Sequence, residues 1–230
     1  MYLFPEQSRV DKVVHKNKIY ERARPPKTVR ELFVAEVGQI VWKHKLSSET
    51  LRLPPANGIE EVQVFEIAIR GGKLSPRVLQ TLDRAIPYPV FFRLCRPDRA
   101  MQWIAAYKRP AESGSHAWVL GDYYSTAWTD GPEPSAPLPV ALDIAGVYEQ
   151  MLLPLIGLAP REGERLPGLV VRESQIRQLR RQIASLAAKM KAEKQFNRKV
   201  KLHADLRQRE AELSALLNPE EDMPRNQAQR

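Results

Sequence analysis

The stretch from Glu173 to Leu217 contains no Gly and no Pro, so no residue in it breaks a helix. Its apolar residues recur at spacings of three and four, which places them on one stripe of an α-helix. The stripe begins with Ile176, Leu179, Ile183, Leu186 and Met190 and resumes with Val200, Leu202, Leu206, Leu213 and Leu216. Such a stripe is stable when it is buried against another helix or in a partner groove. The segment therefore predicts association rather than catalysis.

Two arrangements of this segment stay open. A continuous helix over Glu173 to Leu217 would be roughly 65 Å long at about 1.5 Å per residue, which exceeds the width of a small domain. The stripe also loses register between Glu193 and Asn197. An extended helical arm and a folded-back helical hairpin, both coiled-coil-like, are the alternatives.

Positive charge is concentrated at the two ends of the sequence. Of the formal net charge of +9, Arg172 to Glu210 contributes +8 and Met1 to Arg30 contributes +5, so the remainder carries −4. Clustered positive charge favours docking to phosphates or to an acidic protein surface. Simple solvation of a helix by basic side chains explains the pattern equally well.

We predict two roles for the side chains of the arm. The apolar stripe would bind a partner protein, through Ile176, Leu179, Ile183, Leu186, Met190, Val200 and Leu206. The basic side chains would contact nucleic-acid phosphates, since such contacts position a protein without reading sequence. These residues are Arg177, Arg180, Arg181, Lys191, Lys194, Arg198 and Lys201.

The part of the chain before the arm predicts an α+β fold with a mixed sheet and flanking helices. Thr28 and Glu31 form a capping box for a first helix, and Ser75 with Pro76 starts a second. A third runs from Val140 to about Leu155, with Leu142 among its packing residues. Strands are expected over 39–46, 61–69, 90–94, 101–107, 116–120 and 123–128, with 61–69 as the central one.

The domain organisation follows from these elements and from the breaks between them. We expect a basic N-terminal segment over 1–27, with weak strand signals at 12–14 and 18–20, and an α+β core over 28–157. A Pro-rich link runs from Gly131 to Pro139 inside that core. A linker over 158–171, the basic helical arm over 172–217 and a flexible tail over 218–230 complete the chain.

Several classes of protein are disfavoured. No signal peptide and no apolar run of about 18 residues is present, so we expect a soluble, cytoplasmic protein. Cys95 is the single cysteine, which excludes an internal disulfide and a thiolate metal cage. The histidines lack ligand spacing, and no phosphate-binding loop is present. They are His15, His44, His116 and His203. We predict no cofactor, no metal and no catalytic residue.

Four strings of residues resemble an uncharacterised bacterial family known as a domain of unknown function. They are Ile40-Val-Trp-Lys-His-Lys-Leu, Glu61-Val-Gln-Val-Phe-Glu-Ile, Ala85-Ile-Pro-Tyr-Pro-Val-Phe-Phe and Glu193-Lys-Gln-Phe-Asn-Arg-Lys-Val-Lys-Leu, and none is a catalytic signature. The resemblance implies a genomic setting beside superfamily 2 helicases and DNA methyltransferases, in restriction-like phage-defence clusters. Such a setting indicates association and not mechanism.

One constellation resembles a nuclease core weakly. Glu61, Gln63 and Glu66 lie on the predicted central strand, with Glu49 upstream and Lys45 or Lys108 on possible neighbouring strands. In such a core, carboxylates hold Mg²⁺ and a lysine contacts the phosphate, but Gln63 occupies the position of the usual lysine. The structural alternative, which we favour, places Glu61 and Gln63 at an exposed strand end and pairs Glu66 with a lysine.

Aromatic residues of the predicted strands offer a further alternative. They could form a stacking platform for single-stranded nucleic acid beside Lys108 and Arg109, although aromatics at strand spacing pack sheets more often. The residues concerned are Trp103, Tyr107, Trp118, Tyr123, Tyr124 and Trp128.

The sequence favours a non-enzymatic adaptor subunit of a multi-protein, restriction-like anti-phage assembly. In this hypothesis the arm binds a superfamily 2 helicase or DNA methyltransferase subunit, and its basic residues bind DNA. A divergent metal-dependent nuclease that uses Glu61 and Glu66 is the first alternative. A homodimer whose arms pair is the second.

Overall fold

The structure is a computed structural model that describes residues 2–111, 118–130 and 136–218. The chain divides into two compact units, Met1–Gly157 and Leu158–Arg230. The first unit, the sheet unit, contains a six-stranded mixed sheet with helices, which confirms the predicted α+β class. The second, the hairpin unit, contains two long helices. No helix within the described ranges is long and apolar enough to cross a membrane.

Eight strands are described in the sheet unit. They are β1 (Tyr2–Leu3), β2 (Arg9–Val13), β3 (Val37–Ser47), β4 (Glu61–Ile69), β5 (Val90–Cys95), β6 (Met101–Pro110), β7 (Trp118–Ser125) and β8 (Ala136–Pro137). The main sheet has the order β2-β3-β4-β5-β6-β7, and β1 pairs with β8 separately. Neighbours in the main sheet are antiparallel except for β4 and β5, which are parallel.

Five helices accompany this sheet: α1 (Lys16–Ala23), α2 (Lys27–Glu36), α3 (Ser48–Leu51), α4 (Pro76–Ala85) and α5 (Ile144–Ile156). Helix α4 is the crossover that allows β4 and β5 to run parallel. It begins as predicted, because Ser75 accepts a hydrogen bond from the Arg77 amide and Pro76 occupies the first turn. Asp143 caps α5 in the same way, and Gly157 ends it in the left-handed conformation.

Strand β4 is buried on both faces, which confirms its prediction as the central strand. Phe65 and Ile67 belong to an apolar core with residues of three helices, namely Ile19 of α1, Phe33 of α2 and Leu82 of α4. Because side chains alternate along a strand, Val62 and Val64 point to the other face, on the side of α5. There the Phe91 and Tyr148 rings meet edge to face at 6.1 Å between centroids.

Two lysine side chains cap the C-terminal ends of helices in this unit. The Lys16 ammonium donates to the carbonyls of Phe33 and Val37, at the end of α2. The Lys108 ammonium donates to the carbonyls of Asp83, Ile86 and Tyr88, at 2.6–2.9 Å, at the end of α4. The last carbonyls of a helix lack intrahelical partners, so a cation there satisfies them and opposes the helix dipole.

Lys108 lies in a buried polar network. Its side chain and that of Asp83 are almost fully buried, with 3.8 Å between the ammonium and the carboxylate, and Tyr123 donates its hydroxyl hydrogen to Asp83. Burial lowers the pKa of Lys108 to about 8 and raises the pKa of Asp83 to about 6. The Tyr148 hydroxyl accepts from the Lys108 amide and donates to the Ala106 carbonyl. These residues tie α4, α5, β6 and β7 together.

Several local predictions for the sheet unit are wrong. The strand signal at 18–20 lies in α1, where Ile19 is the one buried residue. In place of the two strands expected at 116–120 and 123–128, the described residues form one strand, β7, which ends at Ser125, and residues 116 and 117 lie outside the described ranges. Leu142 is 89% exposed and precedes α5, because the helix begins after its Asp143 cap. Residues 131–135 of the Pro-rich link also lie outside the described ranges.

The hairpin unit consists of α6 (Leu166–Ala192) and α7 (Phe196–Leu217), joined by a turn at 193–195. The helices pack against each other and run antiparallel, so the folded-back hairpin is the arrangement found. Helix α6 begins inside the predicted linker over 158–171, because Pro167 fits the first helical turn without loss of a hydrogen bond. Of the predicted flexible tail, residues 219–230 lie outside the described part.

Candidate nucleic-acid and partner interface

The hairpin tip, residues 186–204, comprises the last turns of α6, the connecting turn and the first turns of α7. It contains six Lys or Arg residues and one acidic residue, Glu193. The six are Lys189, Lys191, Lys194, Arg198, Lys199 and Lys201, and all are exposed. None of them has an ion pair with any residue that the structure describes. The tip is therefore a cationic surface whose six cations are not paired with any described acid.

A cleft of about 770 Å³ lies at the tip, between the two helices. Lys194, Arg198 and Lys201 line it, together with the acidic residues Glu193 and Asp205. Arg198 and Lys201 are three residues apart in α7 and therefore share one helix face. Cations on one face attract and orient an anionic polymer at its phosphates.

A second face of α7 is apolar and exposed. Phe196 is 78% exposed and Val200 is 53% exposed, and their spacing of four places both on one side of the helix. At about 100° of rotation per residue, this side is nearly opposite to Arg198 and Lys201. The tip therefore presents a cationic face and an apolar face that do not overlap.

The predicted partner-binding residues divide into three groups along the hairpin. Ile176, Leu179 and Leu206 are buried, with 3%, 9% and 9% of their surface exposed, so in the hairpin they offer no surface to a separate partner. Ile183, Leu186 and Met190 are half-buried. Val200 alone is exposed. The prediction that the first group binds a partner is therefore wrong for the hairpin, because α6 and α7 pack against each other and cover these side chains.

The predicted nucleic-acid-binding residues divide by position. Lys191, Lys194, Arg198 and Lys201 lie in the tip. Arg180 and Arg181 are exposed but lie two to three turns of α6 nearer its start. Arg177 forms an ion pair with Glu173 at 2.6 Å, and that pair satisfies part of its charge.

Three residues of the tip were not among the site residues predicted from the sequence. Lys189, Lys199 and Phe196 belong to the tip by position and exposure. The loss of register between Glu193 and Asn197 was the available signal, because residues on either side of a turn lie at the same end of a hairpin.

The base of the hairpin holds a buried arginine. Arg172 is 6% exposed. Its guanidinium donates to both oxygens of Glu164, at 2.8 and 2.6 Å, and to the Ala159 carbonyl at 2.7 Å. It also reaches the Leu216 carbonyl at the end of α7, at 3.4 Å. Hydrogen bonding from Arg172 lowers the pKa of Glu164 to about 2. This cation holds the start of α6 and the end of α7 together.

Some residues of the nuclease-like constellation lie close together at the start of β4. Glu61 accepts a hydrogen bond from the Gln63 amide, and its second oxygen lies 3.4 Å from the Lys45 ammonium. Lys45 also lies 3.5 Å from Glu49. Glu61 and Gln63 are 9% and 8% exposed, so the expectation that they lie at an exposed strand end is wrong.

Glu66 belongs to the other face of the sheet. It is five residues from Glu61 in the same strand, and side chains alternate between faces. Its carboxylate pairs with Arg93 of β5, not with the lysine that was expected. Glu61 and Glu66 therefore cannot share one metal ion. Within the described ranges, no group of three His, Cys, Asp or Glu residues is arranged to hold a metal.

The aromatic residues of β6 and β7 do not form a common exposed surface. Trp103 and Tyr124 are buried, with 3% and 4% exposure. Tyr123 is engaged with Asp83, and Lys108, which was expected beside the platform, is buried at the end of α4. The stacking platform is therefore not formed as predicted.

Comparison with protein families gives one result. A family model described as "Domain of unknown function (DUF4391)" matches residues 3–213, which includes most of the sheet unit and of the hairpin. Comparisons with curated proteins and with solved structures found no match.

Proposed function

We propose that this chain, which belongs to the DUF4391 family, is a non-catalytic adaptor subunit that binds nucleic acid and a partner protein through the tip of its hairpin. The observation that supports this most is the hairpin tip, with six exposed cations against one acid and a separate apolar face. The assembly it would serve is a restriction-like anti-phage complex, with a superfamily 2 helicase or a DNA methyltransferase as partner.

The cationic face suits a nucleic-acid backbone. A cation that is already in an ion pair contributes little binding free energy to a new anion, because its existing ion pair must first be broken. The six tip cations have no acceptor among the described residues, so phosphates would replace only water and counterions. Counterion release then drives binding and makes it depend on salt. Contacts of this kind are independent of base sequence, as an adaptor's attachment requires.

The apolar face suits a protein. Exposed aromatic side chains are frequent anchors in protein interfaces, and they contribute most when they enter a pocket surrounded by polar contacts. Phe196 and Val200, with polar residues around them, have this composition. Because this face is nearly opposite to Arg198 and Lys201, one hairpin can contact a protein and a nucleic acid at the same time.

Charge reversal at the tip tests the nucleic-acid part. We expect the variant Lys194→Glu/Arg198→Glu/Lys201→Glu to lower affinity for a labelled duplex at least tenfold, as measured by fluorescence anisotropy at low salt. The control, Lys12→Glu/Lys27→Glu/Arg84→Glu, makes the same change in net charge at exposed positions of the sheet unit. Equal losses in the two variants would show that net charge acts and that the tip is not the site.

Substitution of the apolar face tests the partner part. The chain would be co-expressed with the proposed partner, a superfamily 2 helicase or a DNA methyltransferase, and then purified through a tag on that protein. We expect Phe196→Asp/Val200→Asp to abolish co-purification and to lower duplex affinity less than the charge-reversed tip variant does, because the six tip cations are kept. The control is Ala184→Asp/Ser185→Asp, a change of the same charge at exposed positions nearer the base. Co-purification that survives the tip change would exclude Phe196 and Val200 as the connection.

A further inference from the structure

A second cleft lies in the sheet unit, and all of its lining residues belong to that unit. Its volume is about 530 Å³, within the range of about 300 to 1,000 Å³ that is usual for small-molecule sites. It lies where α1 and the segment after α4 approach β3 and β4. Trp42 is one of the aromatic residues that line it. Gln63 and Lys45 form a polar floor, and Lys18 and Arg22 form a cationic rim.

A β-bulge brings Trp42 and Lys45 into the same cleft. Trp42 pairs with Phe65 and Lys45 pairs with Gln63, with a shift of register between Trp42 and His44. Without the shift, Trp42 and Lys45 would point to opposite faces, because their separation is an odd number of residues. The extra residue in β3 turns both toward the side of α1.

Trp42 is oriented by its neighbours. Its ring is parallel to that of Phe65, with 6.1 Å between centroids and 6° between planes. Its indole N–H donates to the His44 carbonyl at 3.1 Å. The indole is only half-buried, so part of its surface remains accessible in the cleft. A fixed, accessible indole is a suitable surface on which a planar aromatic ligand stacks.

The floor of the cleft can read the edge of a planar ring. The Gln63 amide carries two N–H donors and an acceptor oxygen, and its contact with Glu61 uses one donor. Glu61 and Lys45 lie beside it, so donors and acceptors alternate over a short distance. The edges of nucleobases have the complementary alternation of donors and acceptors.

The rim is cationic. Lys18 and Arg22 are one turn apart on α1, exposed, and without an ion pair to any described residue. Both line the cleft. With Lys45 they give the lining three positive charges against the one negative charge of Glu61. An anionic group at the rim would therefore be attracted.

We propose that this cleft binds a nucleotide, with its base against Trp42 and over Gln63 and its phosphate between Lys18 and Arg22. The shared chemistry is a nucleoside phosphate, which has two sources: a free nucleotide, or the terminal nucleotide of a single strand. All residues that line this site belong to the sheet unit, and none belongs to the hairpin tip.

The phosphate contacts are tested by calorimetric titration of the full chain with the four nucleoside monophosphates and with their nucleosides. We expect at least one nucleotide to bind more tightly than its nucleoside. In Lys18→Ala/Arg22→Ala, nucleotide affinity should fall about tenfold, to that of the nucleoside, and nucleoside affinity should not change. The control Lys12→Ala/Lys27→Ala removes two exposed cations that do not line the cleft, and it should bind like the unaltered chain.

The base contact is tested with Trp42→Leu. This change should weaken the nucleotide and its nucleoside by the same factor, and the thermal unfolding midpoint checks that the sheet unit stays folded. Inorganic phosphate should compete poorly. Competition by phosphate as strong as that by the nucleotide would overturn the proposal, because the base would then contribute nothing.

A further titration distinguishes a free nucleotide from the terminal nucleotide of a single strand. A 5′-phosphorylated trinucleotide is titrated into the variant Lys194→Glu/Arg198→Glu/Lys201→Glu, in which the tip no longer attracts the strand. Binding of the free nucleotide identifies a small-molecule site, and binding of the trinucleotide alone identifies a strand end. Either result supports the cleft if Lys18→Ala/Arg22→Ala weakens that binding about tenfold. Absence of binding by both ligands, or binding that the double variant leaves unchanged, overturns the proposal.

Discussion

The interior cations and the hairpin-tip cations differ in what they contact. Lys108 donates to three carbonyls at the end of α4, and Arg172 donates to Glu164 and two carbonyls at the hairpin base. The tip cations have no ion-pair partner in the described part of the chain. A cation surrounded by acceptors contributes to folding, whereas one without acceptors is available to a ligand. Substitutions in the two regions should therefore change different measurements.

The largest effect is expected in the sheet unit, from Lys108→Met. The substitution leaves three carbonyls and the buried Asp83 without their cation. Loss of one member of a buried pair destabilises a protein by about 3–5 kcal/mol. We expect a decrease of that size in the free energy of unfolding, measured by urea denaturation.

Lys27→Met is the matched control for Lys108→Met. Lys27 is exposed at the start of α2, so the same change there should alter stability by no more than about 0.5 kcal/mol. Similar losses in the two variants would mean that the contacts of Lys108 do not stabilise the fold.

The second effect compares two arginines of one helix. Arg172→Met removes a buried ion pair and should destabilise the hairpin by about 2–4 kcal/mol. Arg177→Met removes a pair with the same 2.6 Å distance at a more exposed place, and should cost about 1 kcal/mol or less. The measurement is the helical circular dichroism signal during thermal unfolding. Equal costs would show that burial does not distinguish the two pairs.

The third effect concerns binding. In the tip variant Lys194→Gln/Arg198→Gln/Lys201→Gln, affinity for duplex DNA should fall about tenfold, with unfolding unchanged. The slope of log affinity against log salt should also decrease, by about one for each phosphate contact removed. Both quantities come from anisotropy titrations at several salt concentrations. A lower affinity with an unchanged slope would mean that these side chains do not contact phosphates.

Regular elements with long patterns could be predicted from the sequence. The apolar character of both faces of 61–69 identified β4 as a central strand, and Ser75 with Pro76 identified the start of α4. The stripe of the arm identified its helices, and the loss of register near 193–197 marked the turn. These features depend on local chemistry, namely side-chain period and the Ser75 cap, which a sequence carries directly. The capping box expected at Thr28 and Glu31 is wrong, because α2 already begins at Lys27, after Pro26, and has no side-chain cap.

The contacts that define the sites could not be predicted, because they depend on register. The bulge in β3 is invisible in the sequence, yet it brings Lys45 opposite Gln63 and near Glu61. The error at α1 has a similar cause: three residues around Ile19 fit a strand or a helix, and packing of α1 on α4 decides between them. Lys108 was noted for its charge, but its helix-capping role requires the position of α4.

The smallest effect is a pH dependence at the hairpin base. Arg172 lowers the pKa of Glu164 from 4.5 to about 2 in the folded chain. A carboxyl with a lowered folded pKa stabilises the fold above its unfolded pKa, and this contribution disappears as pH falls from 4.5 through about 2. Because Glu164 is partly exposed to solvent, we expect a contribution of about 1 kcal/mol or less.

Glu164→Gln isolates this contribution, since glutamine keeps the shape and cannot ionise. At pH 6 the unaltered chain should unfold at a higher temperature than Glu164→Gln, because the Arg172 pair is charged. The difference should narrow as the pH is lowered to about 3, where proton uptake by Glu164 in the unfolded chain removes part of the advantage. Glu162→Gln removes an exposed carboxylate two residues away and should show no such narrowing. A constant difference between pH 6 and pH 3 would mean that the pair stabilises the base through its geometry and not through its charge.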